Sequence, residues 1–201
     1  MERYNLAVLT KKIYESKLSF FTLKTLRDIL EIKKEATLFS VIKRLLEADI
    51  LIKLEKDKYL LKSEKISDFA LANFIYQPSY ISFESALNFY GILSQFPYEI
   101  TSATTGKTAK KIFQERIFVY TKIKKELFFG YEKKENFIIA FPEKALLDQL
   151  YLSSKGFKRI NLDEYNLESL NVIRLKSYLE KYPETRQFKN AINLLREILK
   201  I

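Results

Sequence analysis

The 201-residue sequence predicts an α+β fold in two parts, and three observations carry that prediction. Apolar residues recur at helical spacing up to about Ala48. The period then drops from 3.6 to about 2 after Asp49. Beyond Pro78, short alternating runs are mixed with further helical stretches.

Leu6, Leu9, Ile13 and Tyr14 form one apolar stripe, predicting a first helix that ends near Ser16 and Lys17. Thr22 is placed to cap a second helix, in which Leu23, Leu26, Ile29 and Leu30 line one side. A break at Ile32-Lys33-Lys34 precedes a third helix from about Ala36 to Ala48, with Leu38, Ile42, Leu45 and Leu46 inward and Phe39 on the flank. A strand over 50–54, a charged turn over 55–58 and a returning strand over 59–61 follow. Three helices followed by a hairpin is the order of a winged helix-turn-helix, with the hairpin as the wing. A connecting helix from Glu64 to Tyr76, buried through Ile66, Phe69, Ala70 and Phe74, ends before Pro78. The expected domains are therefore 1–76, a winged helix-turn-helix of the DNA-binding kind, and 77–201, a mixed α/β domain.

In the second domain, Tyr80-Ile81 reads as a short extended piece and Ser82 as the cap of a helix that Gly91 terminates. Strands are expected at 98–104, 116–123, 127–132 and 137–141. Pro142 suits the first turn of a helix running through Tyr151, with Glu143 as a capping carboxylate. Helices at about 170–181 and 184–199 close the chain.

Composition narrows the chemistry. The chain has no Cys and no His, which excludes disulfides, thiol nucleophiles, His-based triads and nearly all structural zinc sites. No paired acid and base stand together, so no catalytic residues, metal or cofactor are expected, and an enzyme is not. Gly106-Lys107-Thr108 imitates the end of a phosphate-binding loop, but position 101 is Thr where that motif needs Gly. The residues after it are expected to open a helix. Met1 to Asn5 show no basic-then-apolar leader, and no apolar run approaches membrane-spanning length, so a cytoplasmic protein without membrane contact is expected.

Net charge is +10, which favours polyanionic partners. The surplus is not concentrated in the first domain: residues 1–76 carry 15 basic and 11 acidic side chains, and 77–201 carry 20 and 14. DNA contact is therefore argued from pattern. With Leu38, Ile42 and Leu45 inward, Thr37, Ser40, Lys43 and Arg44 project outward, suited to base edges and phosphates. Lys33 and Lys34 before that helix, and Lys56 and Lys58 on the wing, suit backbone phosphates. A second basic cluster comprises Lys107, Lys110, Lys111, Arg116, Lys122, Lys124 and Lys125. It suits a DNA backbone, an RNA or an acidic partner, and equally an exposed strand edge guarded by lysines.

Four phrases occur in order in the second domain: Pro78-Ser79-Tyr80-Ile81-Ser82-Phe83-Glu84-Ser85-Ala86-Leu87, Tyr90-Gly91, Ile100-Thr101-Ser102-Ala103-Thr104 and Pro142-Glu143-Lys144-Ala145-Leu146-Leu147-Asp148. Together they resemble the AbiEi antitoxins of type IV toxin–antitoxin, or abortive infection, systems. The resemblance implies a transcriptional autorepressor whose N-terminal domain binds inverted repeats upstream of its own operon. It also implies an antitoxin domain opposing a nucleotidyltransferase-like toxin. The family's DNA contacts lie on the recognition helix and wing, which by place in the fold are Thr37, Ser40, Lys43, Arg44, Lys56 and Lys58. The phrases around Tyr80 and Pro142 read as scaffold. The alternative is an interaction protein that does not bind DNA and neutralises an acidic partner through its basic C-terminal surface.

Overall fold

A threonine that ends one element and starts the next organises the first part of the chain. In the computed structural model, which describes residues 5–62, 66–157 and 160–200, Thr22 closes strand β1 (Phe20–Thr22) and caps helix α2 (Leu23–Leu30). Its side-chain oxygen accepts from the Thr25 amide at 3.1 Å. Before it runs α1 (Leu6–Glu15), and after it α3 (Glu35–Glu47) and the hairpin of β2 (Leu51–Glu55) and β3 (Lys58–Leu61). The hairpin turns on Asp57, whose left-handed φ of 58° an Asp side chain tolerates.

Strand β1, which the sequence reading missed, pairs antiparallel with β3, giving a three-stranded sheet in the order β1-β3-β2. The core of this unit joins Leu9 and Ile13 of α1 to Phe21, Leu26, Leu38, Ile42 and Leu45, with Leu51 and Tyr59 from the sheet. Tyr14, expected inward, is 48% exposed. Val41 takes an inward place that was not assigned to it.

The chain divides into two compact units between Ser67 and Asp68. Helix α4 (Asp68–Ile75) thus belongs to the second unit, not to the first as the boundary at Tyr76 had it. Its contacts explain the transfer. The Tyr120 hydroxyl donates to the Ala72 carbonyl at 2.7 Å, and the Ile138 amide donates to Asn73 Oδ1 at 2.6 Å. The helix buries Ala70, Leu71, Ala72 and Ile75, while Phe69 and Phe74 are only partly covered. Its expected beginning at Glu64 lies outside the described residues.

The second unit is built on six strands in the order β6-β7-β5-β4-β9-β8. They are β4 (Ser79–Ile81), β5 (Glu99–Thr104), β6 (Ala109–Phe113), β7 (Arg116–Lys122), β8 (Tyr131–Lys134) and β9 (Phe137–Ala140). β5 with β7 and β4 with β9 are parallel; the other neighbours are antiparallel. Helix α4 lies over the face carrying Tyr120. Helix α6 (Pro142–Ser154) lies over the opposite face and packs against α5 (Phe83–Phe89), α7 (Val172–Leu179) and α8 (Arg186–Leu199). Gly91 ends α5 in the left-handed conformation expected of it, φ 70°. Two expectations fail. The residues after Thr108 form the outer strand β6 rather than a helix. The stretch expected as a strand from Leu127 begins as a 3-10 turn (Lys125–Leu127), and β8 starts only at Tyr131. Among the described residues, no helix is long and apolar enough to cross a membrane, and no cluster of carboxylates is arranged to hold a metal.

Because Thr22 serves both β1 and α2, Thr22→Ala is expected to lower stability by about 1 kcal/mol. Urea unfolding of the full chain measures this. An unchanged midpoint would show the cap to be idle.

Candidate nucleic-acid interface

Residues on an α-helix advance by about 100° each, so the four buried positions of α3, Leu38, Val41, Ile42 and Leu45, dictate what faces outward. Ala36, Ser40, Lys43 and Glu47 stand opposite them and are exposed. Arg44, exposed, and Thr37, partly covered, flank that line on one side. Phe39, 45% exposed, flanks it on the other. Thr37, Ser40, Lys43 and Arg44 therefore share one outward surface. Phe39 joins them, which the sequence reading had not used; an aromatic edge suits a thymine methyl. Lys43 lies 3.7 Å from Glu47, with both side chains well exposed. Such pairs contribute little and yield readily to a phosphate.

The approach to α3 is basic. Glu31 ends α2 in a left-handed conformation, and Ile32 is buried in the corner, which leaves Lys33 and Lys34 exposed ahead of the helix. Lys34 occupies the capping position without a side-chain cap bond. The first amides of α3 thus keep donors for water or for an anion. On the hairpin, Lys56 is exposed at the tip and Lys58 is partly covered.

The second basic cluster does not come together as one patch. Lys110 pairs with Glu99 at 2.7 Å and Arg116 with Asp68, so acids from distant sequence neutralise that part of the sheet. Lys111 is partly covered on β6, the outer strand, where charged side chains discourage strand addition. Lys107, Lys122, Lys124 and Lys125 are exposed at the other end of the same strands. The seven residues of β7 put about 20 Å between Arg116 at one end and Lys122 at the other.

The phrases read as scaffold prove to meet in a buried polar cluster, which the sequence reading missed. The Asp148 carboxylate, fully buried on α6, accepts from the Tyr80 hydroxyl at 3.0 Å, the Ser82 hydroxyl at 2.8 Å and the Tyr182 hydroxyl at 2.7 Å, and it pairs with Lys144. Lys144 Nζ also donates to Tyr182 at 2.7 Å and lies 4.9 Å from the centre of the Phe129 ring. Burial pushes the Lys144 ammonium below its ordinary value, while Asp148 pulls it back. Burial, then the Asp148 charge, holds Tyr80 and Tyr182 well above the usual phenol range, so both remain donors. Ser82 thus spends its hydroxyl on Asp148 and makes no cap bond to α5. Phe83 turns the chain with φ 56°, a conformation costing about 1–2 kcal/mol. Glu143 likewise does not cap its own helix: it accepts from the Asn171 amide at 2.7 Å, at the start of α7, and meets Arg174 at 3.4 Å. The one signal in the sequence was the i,i+4 spacing of Lys144 and Asp148.

Tyr80, Ser82, Lys144 and Asp148 are fully buried and Tyr182 nearly so, and their bonds tie β4, α6 and the segment after α7 together. Lys144→Met or Asp148→Leu alone is expected to cost about 3–5 kcal/mol, because each leaves a buried charge without its partner. The double variant should lose less than the sum. Denaturant unfolding checks this, and strictly additive losses would show the pair to be uncoupled. No protein-family model matches the chain, and no curated protein sequence matches it.

Proposed function

We propose that residues 5–62 form a winged helix-turn-helix that binds duplex DNA, and that the chain is an autorepressing antitoxin of the AbiEi type. The observation that carries the first part is the outward surface of α3, where Thr37, Ser40, Lys43 and Arg44 stand together, with exposed Lys33 and Lys34 just ahead of the helix and Lys56 exposed on the hairpin of the same unit. The order α1-β1-α2-α3-β2-β3, with β1 added to the hairpin, supports the same reading. In it α2 and α3 are the helix-turn-helix, α3 enters the major groove and the hairpin meets the backbone. The antitoxin part rests on the phrases from Pro78 to Asp148. The partners are operator DNA, as inverted repeats upstream of the chain's own operon, and functionally a nucleotidyltransferase-like toxin. The protein works in the cytoplasm and is not an enzyme.

Binding to the DNA upstream of the reading frame, measured by fluorescence anisotropy across a salt series, tests the first part. Arg44→Ala is expected to weaken operator binding by about 1–3 kcal/mol and leave non-specific binding little changed. Lys33→Ala, Lys34→Ala and Lys56→Ala should each flatten the slope of log affinity against log salt by about 0.9. Equal operator affinity in the wild type and in a Lys43→Ala/Arg44→Ala chain would remove α3 from the interface. The antitoxin part is tested separately by co-expression with the neighbouring nucleotidyltransferase-like gene. The Lys43→Ala/Arg44→Ala chain is expected to lose repression yet still rescue growth, and failure of the wild type to rescue would end the antitoxin reading.

A further inference from the structure

Lys107, Lys122, Lys124 and Lys125 lie near a feature of the second unit that duplex binding by the first unit does not use. Strands β4 and β9 pair at a single position, Ile81 with Ile139, and separate before it. Asn73 fills the gap, accepting from the Ile138 amide and donating to the Ser79 carbonyl at 3.4 Å. The mouth of this gap is a cleft of about 480 Å³, walled by Gln77, Pro78, Phe128, Tyr131 and Ile138. Tyr131 is 38% exposed, and its ring is stacked on Tyr80 with centroids 4.8 Å apart. Tyr80 is itself held by its bond to Asp148. The Tyr131 ring is thus braced from behind and open to solvent.

Four lysines stand in segments adjoining this cleft, although none forms its wall. Lys124 and Lys125 begin the 3-10 turn that delivers Phe128 into its wall. The Lys107 carbonyl accepts from the Tyr76 hydroxyl, next in the chain to Gln77. Lys122 lies across β5 from Ser79, with Thr104 between them, about 10 Å or two strand spacings away. All four lysines are exposed, and Glu126 is the acidic side chain of the same turn.

We infer that this end of the sheet binds single-stranded nucleic acid, with an unpaired base stacked at Tyr131 and Phe128 and the backbone phosphates on Lys107, Lys122, Lys124 and Lys125. A braced, exposed ring beside a basic track is the combination such strands require, because every base offers a π-face once it is unpaired. Bases inside a duplex cannot reach the cleft, and an acidic peptide would account for the lysines but not for the open aromatic wall.

The chain has no tryptophan, so Tyr131→Trp places a reporter in the cleft alone, and a failure of duplex binding by the first unit leaves its signal untouched. Titration of the full-length Tyr131→Trp chain with 12-mers of uridylate and of thymidylate is expected to quench its fluorescence saturably. Quenching by the ribo-oligomer, the deoxy-oligomer or both supports the site and identifies which sugar it accepts. In anisotropy with the same oligomers, Tyr131→Ala should weaken binding about 5- to 100-fold, whereas Tyr131→Phe, which keeps the ring, should bind like the wild type. Lys124→Ala/Lys125→Ala should flatten the salt slope by about 1.4. Absence of quenching overturns the inference even if Tyr131→Ala fails to fold. So does equal quenching by a blunt duplex of the same length. Displacement by polyglutamate, together with unchanged binding by a folded Tyr131→Ala chain, would make the cluster a plain polyanion surface and overturn it as well.

Discussion

A helix covered on every side is normally apolar all round. α6 is covered from Glu143 to Tyr151 without a break, yet it carries Glu143, Lys144, Asp148 and Gln149. Each would cost several kcal/mol if left without a partner away from water, so the surroundings of α6 are constrained to supply one. Glu143 receives the start of α7, Gln149 donates to Glu84 of α5, and Asp148 collects three hydroxyls and an ammonium. These bonds decide where β4, α5, α7 and the chain around Tyr182 sit relative to α6. Apolar packing alone would hold the same elements at a range of nearby positions, whereas a carboxylate with directed donors accepts one. The second unit is ordered around that requirement, and the bracing of Tyr131 through Tyr80 follows from it.

What was legible in the sequence was whatever announces itself within one turn or one hairpin. The Thr22 cap, the stripe of α3, the change of period at Asp49 and the Gly91 terminus are all local, and each stands where the spacing put it. What was not legible depends on partners far away in the chain. β1 is three residues long, too short for an alternating pattern, and exists because β3 pairs with it from much later in the chain, Phe20 opposite Leu60. β6 carries two adjacent lysines and an exposed Ile112, so its signature is that of an outer strand, easily taken for a helix. The affiliation of α4 was equally invisible, since its apolar residues suit any core and only Tyr120 and Ile138 reveal which one it joined.

The two candidate surfaces differ in the same way. On α3 the outward residues follow from the inward ones by helix geometry, so a single sequence suffices to list them. The lysines of the second unit looked like one cluster because they are close in sequence, but a strand converts sequence proximity into length. Lys110 and Arg116 find acids that sequence spacing does not bring near, while Lys107, Lys122, Lys124 and Lys125 lie exposed at the far end of β7.

The pairing of β1 with β3 also carries a mechanical meaning for the first unit. Thr22 sits opposite Lys58, the first residue after the hairpin turn, and the Leu23 amide, the first of α2, donates to the Asp57 carbonyl at 3.0 Å. The hairpin is therefore not a free arm: its tip is bonded to the same residues that start the helix ahead of α3. The position of the tip against the start of α2 is thus held by the fold itself, as in a fixed-jaw gauge. In the proposed DNA-binding reading, a groove that took α3 would have to accept the hairpin at that spacing.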